Sequence, residues 1–255
     1  MNTVKEHYEG QLADVYSWMA GGFETVAEGS RVFFRQLEID KIPRGLAIDL
    51  GAGSGFQSVP LAEFGFSVVA IDFSPALLAE LRERAGNLSI RTVQDDILNF
   101  SNHVGEAAQV IVCMGDTLTH LESLDAVKTL LRDAARLLLK DGKLVLTFRD
   151  YVSVELRGEQ RFIPVRADES KIFTCFLEYH EDFVEVFDLL YRKENEQWKL
   201  SVSSYPKLRL DRSWVESQLL ENELTVVRNE LANGMIKIVA NKSEQSTRRP
   251  TNHWT

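Results

Sequence analysis

The chain has 255 residues, of which 44% are hydrophobic, and carries a formal net charge of −9. A chain of this length and hydrophobic content can bury one sizeable core, or a core with an inserted subdomain. The acidic balance disfavours nucleic acid, and none is expected as a partner, because phosphate binding depends on clustered lysine and arginine.

Other simple features exclude further classes. No apolar run approaches the roughly 20 residues that span a membrane, and residues 1–10 are polar and charged, unlike a secretory leader. We therefore expect a cytoplasmic protein with no membrane contact. The two cysteines, Cys113 and Cys175, form no CxxC pair, so the cysteines indicate neither a disulfide framework nor a zinc site.

The N-terminal segment carries apolar residues at helical spacing over 4–19 and 23–38, which predicts two helices above the ligand site. Tyr8, Tyr16 and Trp18 could stack on a planar or cationic substrate, although aromatics at this spacing more often belong to a core. Tyr16 is the candidate substrate-binding residue among them.

The first predicted strand, 46–50, contains Asp49 and is followed by three glycines at alternate positions, Gly51, Gly53 and Gly55. Glycine tolerates positive φ and has no Cβ, so such a loop can turn sharply and bring backbone N–H groups close to a ligand. The pattern predicts a binding loop at the end of this strand.

The second predicted strand, 67–71, is followed by Asp72, about 20 residues beyond the first loop glycine. An acidic side chain at this distance can accept hydrogen bonds from both ribose hydroxyls of a nucleotide. Together with the glycine loop, it indicates an adenosine-containing cofactor.

The glycine spacing separates the nucleotide-binding classes. A P-loop needs Gly-Lys-Ser/Thr and a dinucleotide site needs G-x-G-x-x-G, whereas this loop is G-x-G-x-G. Asp49 would repel a pyrophosphate but suits a cation. The segment resembles motif I of the class I S-adenosylmethionine-dependent methyltransferases, whose cofactor carries a sulfonium and an ammonium. The resemblance implies that Asp49, Gly51, Ala52, Gly53 and Gly55 bind S-adenosylmethionine.

The resemblance continues into the second and third strands. Residues 71–75, IDFSP, are similar to the second family motif, which implies cofactor contacts from Asp72 and Phe73. Residues 90–97, IRTVQDDI, resemble the adenine-contacting turn. By that resemblance Asp96 would reach the adenine amino group and Ile97 would lie against the ring. The neighbouring Asp95 could take the role of Asp96.

After the fourth strand, residues 115–121, GDTLTHL, resemble the loop that flanks the methyl group in small-molecule enzymes of the glycine N-methyltransferase type. Met114 would contact the cofactor. His120 has an ordinary pKa suited to a general base, or it could cap a helix or face solvent. Asp116 could bind an ammonium or hydroxyl of the substrate, or form an Asx-turn. His120 and Asp116 are the catalytic candidates.

Two further candidates follow the fifth strand, which is predicted after a helix over 124–139 that stops at 140–142. Arg149 could clamp a substrate carboxylate bidentately, or pair with a carboxylate of the segment that follows. Tyr151 could face the methyl group. Both are predicted to bind substrate.

Between 151 and 210 the alternation of helix and strand stops, and four runs of strand character separated by polar turns predict an antiparallel meander. It could roof the substrate site, because ligands of open α/β sheets bind beyond the carboxyl ends of the strands. The alternative is a dimerisation sheet, which would make the protein a homodimer.

The whole pattern predicts an α/β fold, a Rossmann-like seven-stranded, mostly parallel sheet with an antiparallel β insertion after strand 5. Strands are predicted over 46–50, 67–71, 89–93, 109–114, 143–148, 224–230 and 234–240, and core helices over 56–64, 75–85, 124–139 and 213–221. The predicted units are a helical cap (1–39), the core (40–150 and 211–242), the insertion (151–210) and a disordered tail (243–255).

The resemblance implies in-line SN2 transfer of a methyl group from S-adenosylmethionine to a nitrogen, or an oxygen, of a small-molecule acceptor, with S-adenosylhomocysteine as product and no metal. Methylation of a protein or RNA is an alternative, although the Asn-Pro-Pro-Tyr type of loop is absent after strand 4. A non-catalytic S-adenosylmethionine-binding protein is another. A nicotinamide dehydrogenase is disfavoured by the loop spacing.

Overall fold

The computed structural model describes residues 12–242. The predicted tail over 243–255 and the start of the predicted first helix, with Tyr8, lie outside this range. No helix within it is long and apolar enough to cross a membrane.

Eleven strands and six α-helices form the described chain. The strands are β1 (Leu46–Leu50), β2 (Ser67–Asp72), β3 (Ile90–Gln94), β4 (Ala108–Cys113), β5 (Leu138–Arg149), β6 (Phe162–Ala167), β7 (Lys171–Tyr179), β8 (Phe183–Glu194), β9 (Gln197–Leu208), β10 (Leu224–Ala232) and β11 (Met235–Lys242). The helices are α1 (Tyr16–Met19), α2 (Phe23–Gln36), α3 (Ser58–Glu63), α4 (Pro75–Ala85), α5 (Leu124–Leu137) and α6 (Arg212–Glu221). Short 3-10 helices lie at Ala13–Val15, Ile39–Lys41, Ile97–His103, Thr117–His120 and Gly158–Arg161.

Seven strands form the main sheet in the order β10-β11-β5-β4-β1-β2-β3. The strands β1 to β5 pair in parallel, while β11 runs antiparallel to both β5 and β10. This arrangement confirms the predicted fold class. It also places the loops after β1, β2, β3 and β4 at one edge of the sheet, where α/β folds bind ligands.

The buried sequence of β1 explains why helices cover both faces of the sheet. Leu46, Ile48 and Leu50 join an apolar cluster with α5 and α6, and Ala47 joins a second cluster with α2, α3 and α4. Alternate side chains of a strand point to opposite faces, so a strand buried at every position is covered on both.

A separate four-stranded antiparallel sheet, ordered β6-β7-β8-β9, follows β5 in the chain. Its residues Leu177, Val184 and Tyr205 pack with Tyr151, which comes directly after the main sheet. This cluster attaches the inserted sheet beside the carboxyl ends of the parallel strands.

The end of α5 differs from its prediction. The helix stops at Leu137, and Leu138 already pairs with Ala108 of β4, so a helix to residue 139 was wrong. The predicted stop at 140–142 instead forms an irregularity within β5, where Asp141 adopts a φ of 62°. Pairing with β4 therefore outweighs the helical pattern at this point.

Candidate functional site

A cavity of about 700 Å³ lies at the carboxyl ends of β1 to β4 and is closed on one side by the inserted sheet. The inserted sheet contributes Phe183, Pro206 and Leu208 to its wall. Of the predicted site residues, those that line it are Tyr16, Gly51, Gly53, Asp72, Phe73, Asp96, Ile97 and His120. Segments far apart in the chain thus meet at one site.

The glycine loop forms the floor of this cavity, with Gly51 and Gly53 both in its wall. Gly51 adopts a φ of 77° and Gly53 a φ of 50°, in the left-handed region. A β-carbon at Gly51 would lie 2.5 Å from Oγ1 of Thr117, and one at Gly53 would lie 3.5 Å from the ring of Tyr16. The loop leaves space that any larger residue would reduce.

The first three N–H groups of the loop donate within the protein, whereas the glycine pattern predicted that loop N–H groups approach a ligand. Gly51 and Ala52 donate to the carbonyl oxygen of Ile71 at 2.9 and 3.0 Å, and Gly53 donates to Oδ2 of Asp72 at 2.8 Å. An anion such as a pyrophosphate needs free donors, so this loop is better suited to a cationic ligand.

Asp72 links β2 to the glycine loop. Its two oxygens accept the N–H groups of Gly53 and Ser74, each at 2.8 Å, and burial raises the pKa of the Asp72 carboxyl above its ordinary value. Each carboxylate oxygen retains a second lone pair. Asp72 can therefore hold the loop and still accept a hydrogen bond from a ligand in the cavity.

Asp49 is buried beneath the same loop. Its Oδ2 accepts a hydrogen bond from Oγ of Ser58 at 2.6 Å, while its Oδ1 is buried and has no hydrogen-bond partner among residues 12–242. Burial raises the pKa of Asp49 to about 7. A buried acceptor without a donor fits a site that a cationic group completes.

Asp95 and Asp96 differ in their surroundings, and this difference shows which of the two lies at the cavity. Asp95 accepts from Nδ2 of Asn99 at 2.9 Å and contacts Nε2 of His103 at 2.7 Å, and these contacts lower the pKa of Asp95 to about 2. Asp96 lines the cavity next to the buried Ile97. Asp96 is therefore the residue placed to contact a ligand.

Three residues predicted to bind the cofactor, Ala52, Met114 and Gly55, pack against other parts of the protein and do not line the cavity. Ala52 and Met114 lie in or against the apolar cluster on one face of the main sheet. A β-carbon at Gly55 would overlap Leu81, so this glycine allows α4 to approach the loop. Asp49 is likewise beneath the wall rather than on it.

Asp116 lies behind the wall in a dense polar cluster. Its carboxylate accepts from the backbone N–H of Arg149 at 2.8 Å, from Oγ1 of Thr119 at 2.9 Å and from Nζ of Lys207 at 2.5 Å. Oη of Tyr151 lies 3.4 Å away. The carboxylate is thus occupied by the protein and positions the loop after β4.

The charge of Asp116 follows from its neighbours. Burial alone would raise the pKa of Asp116, but the ammonium of Lys207 and the nearby His120 outweigh it and hold the pKa below its ordinary value. A carboxylate with a lowered pKa is a weak proton acceptor, which disfavours Asp116 as a general base.

Sequence reasoning missed Lys207 and Tyr205. Lys207 is buried although it is charged, and Tyr205 stacks on His120 with ring centroids 5.5 Å apart and an interplanar angle of 19°. Both lie on one face of β9, two residues apart. Their spacing on one face of β9 was the only sequence signal for these two residues. No local pattern shows that β9 packs on the loop after β4.

Tyr16 forms another part of the cavity wall. It stacks on Phe56 with centroids 5.7 Å apart, and burial together with the charge of Asp72 raises the pKa of Tyr16 to about 12. A phenol with this pKa stays protonated at neutral pH. Tyr16 lines the cavity, and its role in substrate binding stays a prediction.

The other substrate candidates do not line the cavity. The Arg149 side chain is exposed, and Tyr151 is buried in the apolar cluster beneath the inserted sheet. The sequence also allowed Arg149 to pair with a carboxylate of the insertion. Within residues 12–242 it forms no such ion pair, so that alternative has no support either.

Comparison with known proteins identifies the class. Residues 47–142 match a methyltransferase domain family. A glycine/sarcosine N-methyltransferase of Aphanothece halophytica is 33% identical over 106 residues, which are 41% of this chain and 40% of that relative. The chain thus spans less than half the length of this curated relative.

Two solved structures share the fold over most of the chain. The CcbJ methyltransferase of Streptomyces caelestis superimposes with a TM-score of 0.77 at 18% identity, covering 94% of this chain and 99% of its own. CalS10 of Micromonospora echinaspora, an amino pentose methyltransferase with bound S-adenosylmethionine, gives 0.70 at 14% identity, with coverage of 86% and 92%.

The fold, the glycine loop and the domain match together define an α/β transferase domain. Residues 47–142 form a methyltransferase domain of the S-adenosylmethionine-dependent type, with S-adenosylmethionine as its cofactor. The predicted family and cofactor are confirmed.

Proposed function

We propose that the protein transfers a methyl group from S-adenosylmethionine to a nitrogen atom of a small-molecule acceptor and releases S-adenosylhomocysteine. The observation that carries this proposal is the cavity of about 700 Å³, which extends from the glycine loop to the inserted sheet. This volume is in the range of small-ligand sites. The relative named glycine/sarcosine N-methyltransferase favours nitrogen over oxygen as the acceptor atom.

The residues at the loop end of the cavity fit the cofactor. When bound, S-adenosylmethionine supplies an electrophilic methyl group. Asp72 is suited to accept hydrogen bonds from ribose hydroxyls, and Asp96 from the adenine amino group, with Ile97 against the ring. Gly51 and Gly53 contribute by lacking side chains, and Asp49 contributes negative charge beneath the loop.

The other end of the cavity suits the acceptor. Tyr16, Phe183 and Leu208 provide aromatic and apolar surface that excludes water from the reacting atoms. An acceptor ammonium must lose a proton before its lone pair can attack. We assign the removal of that proton to His120, which acts as the general base. His120 lines the cavity and is held by its stack on Tyr205.

Calorimetric titration with S-adenosylmethionine and S-adenosylhomocysteine tests the cofactor site, and S-adenosylhomocysteine release with glycine, sarcosine and amino sugars tests the acceptor. We expect tight binding of both cofactor forms and release with an amine but not with the matching alcohol. Release only with hydroxyl acceptors would overturn the choice of nitrogen. Binding without release from any small molecule would favour a macromolecular acceptor or a non-catalytic role.

The role of His120 has its own test. We expect His120→Asn to lower kcat by about 100-fold or more, the usual contribution of a general base, while S-adenosylhomocysteine affinity stays near that of the wild type. Tyr205→Phe keeps the stacked ring and serves as the matched control. Equal kcat values for wild type and His120→Asn would remove His120 from the mechanism.

We also propose that the inserted sheet has two roles, as the roof of the site and as a homodimer interface. Phe183, Pro206 and Leu208 support the first role, because they close the cavity. Trp198 and Val202 support the second, because these β9 side chains are 46% and 55% exposed on one face of the sheet.

A further inference from the structure

We propose a transition-metal site on the inserted sheet, formed by Glu178, His180 and Glu185. One ligand atom from each residue lies within 4.8 Å of the other two. Glu178 and His180 are exposed and Glu185 is half-buried, so the set is open to an ion from solvent. This site is separate from the residues proposed for methyl transfer, and its existence does not depend on that function.

The hairpin between β7 and β8 brings the three residues together. Glu178 lies directly opposite Glu185 in the strand register, and His180 follows Glu178 by two positions. The hydrogen bond from the His180 N–H to the carbonyl oxygen of Phe183 continues the ladder one residue past the end of β7. Side chains two apart in such an extended chain share a face, so all three project from the same side.

The two glutamates form an unfavourable pair without a cation. Like charges directly opposite each other destabilise a sheet. Within residues 12–242, neither glutamate forms an ion pair with lysine or arginine. The nearby Arg209 is committed to Glu155 at 2.8 Å and to the carbonyl oxygen of His180 at 2.7 Å. A bound cation would convert the repulsion into coordination.

Neighbouring groups already orient the ligands. The ring of His180 stacks on Phe183 with centroids 4.3 Å apart, and its backbone N–H donates to the carbonyl oxygen of Phe183 at 2.9 Å. Oγ of Ser204 donates to Oε1 of Glu185 at 2.8 Å. An outer hydrogen bond such as that from Ser204 orients a carboxylate ligand in metal sites, while the stack on Phe183 orients the His180 ring.

The donor set indicates which ion binds. One imidazole nitrogen and two carboxylate oxygens suit Zn²⁺, while Mg²⁺ and Ca²⁺ prefer oxygen ligands alone. Water would complete the coordination on the exposed side. The same hairpin contributes Asp182 and Phe183 to the cavity wall, so zinc binding would stiffen one side of the proposed acceptor site.

Calorimetric titration of the chelator-treated full chain with zinc chloride tests the site. We expect Glu178→Gln and Glu185→Gln each to weaken zinc binding by more than about tenfold, since loss of even an outer partner has that effect. Glu181→Gln, in the same turn but outside the ligand set, is the matched control and should bind zinc like the wild type. Equal affinities in all four proteins would overturn the proposal and indicate an adventitious ion only.

A second measurement uses the unmodified chain, so it does not depend on how the variants fold. Zinc should protect His180 from diethylpyrocarbonate, as measured by peptide mass spectrometry. His103, which is engaged by Asp95, gives the internal comparison and should react equally with and without zinc. Equal modification of His180 in both conditions would also overturn the proposal.

Discussion

Gly51 sits where β1 enters the binding loop, with its hydrogen atoms facing Thr117. The substitution Gly51→Ala places a methyl group into that contact and strains a residue whose φ is 77°. We expect S-adenosylhomocysteine affinity to fall by at least about tenfold, equivalent to about 1.4 kcal/mol. Isothermal titration at one temperature provides the comparison.

The control for this variant is Gly86→Ala. Gly86 also has a positive φ, of 51°, but it ends α4 and has open space around its Cα. We expect this variant to be slightly less stable and to bind the cofactor like the wild type. If Gly51→Ala also bound normally, the cofactor site would be assigned to the wrong loop.

Asp49 predicts a pH dependence of stability. Its pKa is about 7 in the folded chain against an ordinary 3.8, so between these pH values the folded state holds a proton that the unfolded state has lost. Stability from this group therefore falls as the pH rises from about 4 to about 7. Asp49→Asn removes the ionisation, and we expect its gain in Tm over the wild type to be larger at pH 8 than at pH 5.

Asp95 has a lowered pKa, in contrast to the raised pKa of Asp49, and can be compared with it in the same thermal unfolding series. Its pKa is lowered to about 2, so its stabilising contacts persist at both pH values and are lost only on acidification towards pH 2. Asp95→Asn should lower Tm at pH 5 and at pH 8. A gain for Asp49→Asn that did not change with pH would show that the buried carboxyl is not the titrating group.

At the scale of elements, one buried ion pair joins the inserted sheet to the main sheet. Lys207 of β9 and Asp116 after β4 are both buried and 2.5 Å apart. Removing one partner leaves an unpaired buried charge, which costs about 3–5 kcal/mol. We expect Asp116→Asn and Lys207→Met each to destabilise by about this amount in urea unfolding.

The double variant Asp116→Asn/Lys207→Met isolates the interaction energy between the two residues from the energy of their other contacts. Because it removes both charges, we expect its loss of stability to be clearly smaller than the sum of the two single losses. Additive losses would mean that Asp116 and Lys207 act independently, and that other contacts dock β9 on the loop.

At the scale of the whole molecule, the exposed half of β9 predicts self-association. Leu200 is 49% exposed between Trp198 and Val202 on the same face of β9. A stable dimer needs about 800 Å² from each partner, more than three side chains provide, so exposed side chains of the neighbouring strands would have to pair as well. We expect sedimentation velocity to give a dimer for the wild type and a monomer for Leu200→Glu.

Leu220→Glu is the matched control, because Leu220 is 72% exposed on α6, away from the inserted sheet. This variant should sediment like the wild type. A wild-type monomer at micromolar concentration, or a Leu200→Glu dimer, would leave the inserted sheet with the roof role alone.

Local patterns carried most of the fold prediction. The ends of β1 and β2, the alternate glycines and Ser74 ahead of α4 are encoded within a few residues of each other, and short-range backbone preferences decide them. The irregularity near Asp141 was missed because it depends on pairing with β4, a partner 30 or more residues earlier in the chain.

The sequence by itself determined the order of strands and helices, the glycine loop and the acidic residues that follow β1, β2 and β3. These features depend on periodicity and on conformational preferences that act along the chain. Only the tertiary structure decided that the loop N–H groups turn inward, that Asp96 rather than Asp95 faces the cavity and that Lys207 meets Asp116. Burial and charge pairing between distant segments fix those outcomes, and no local pattern contains them.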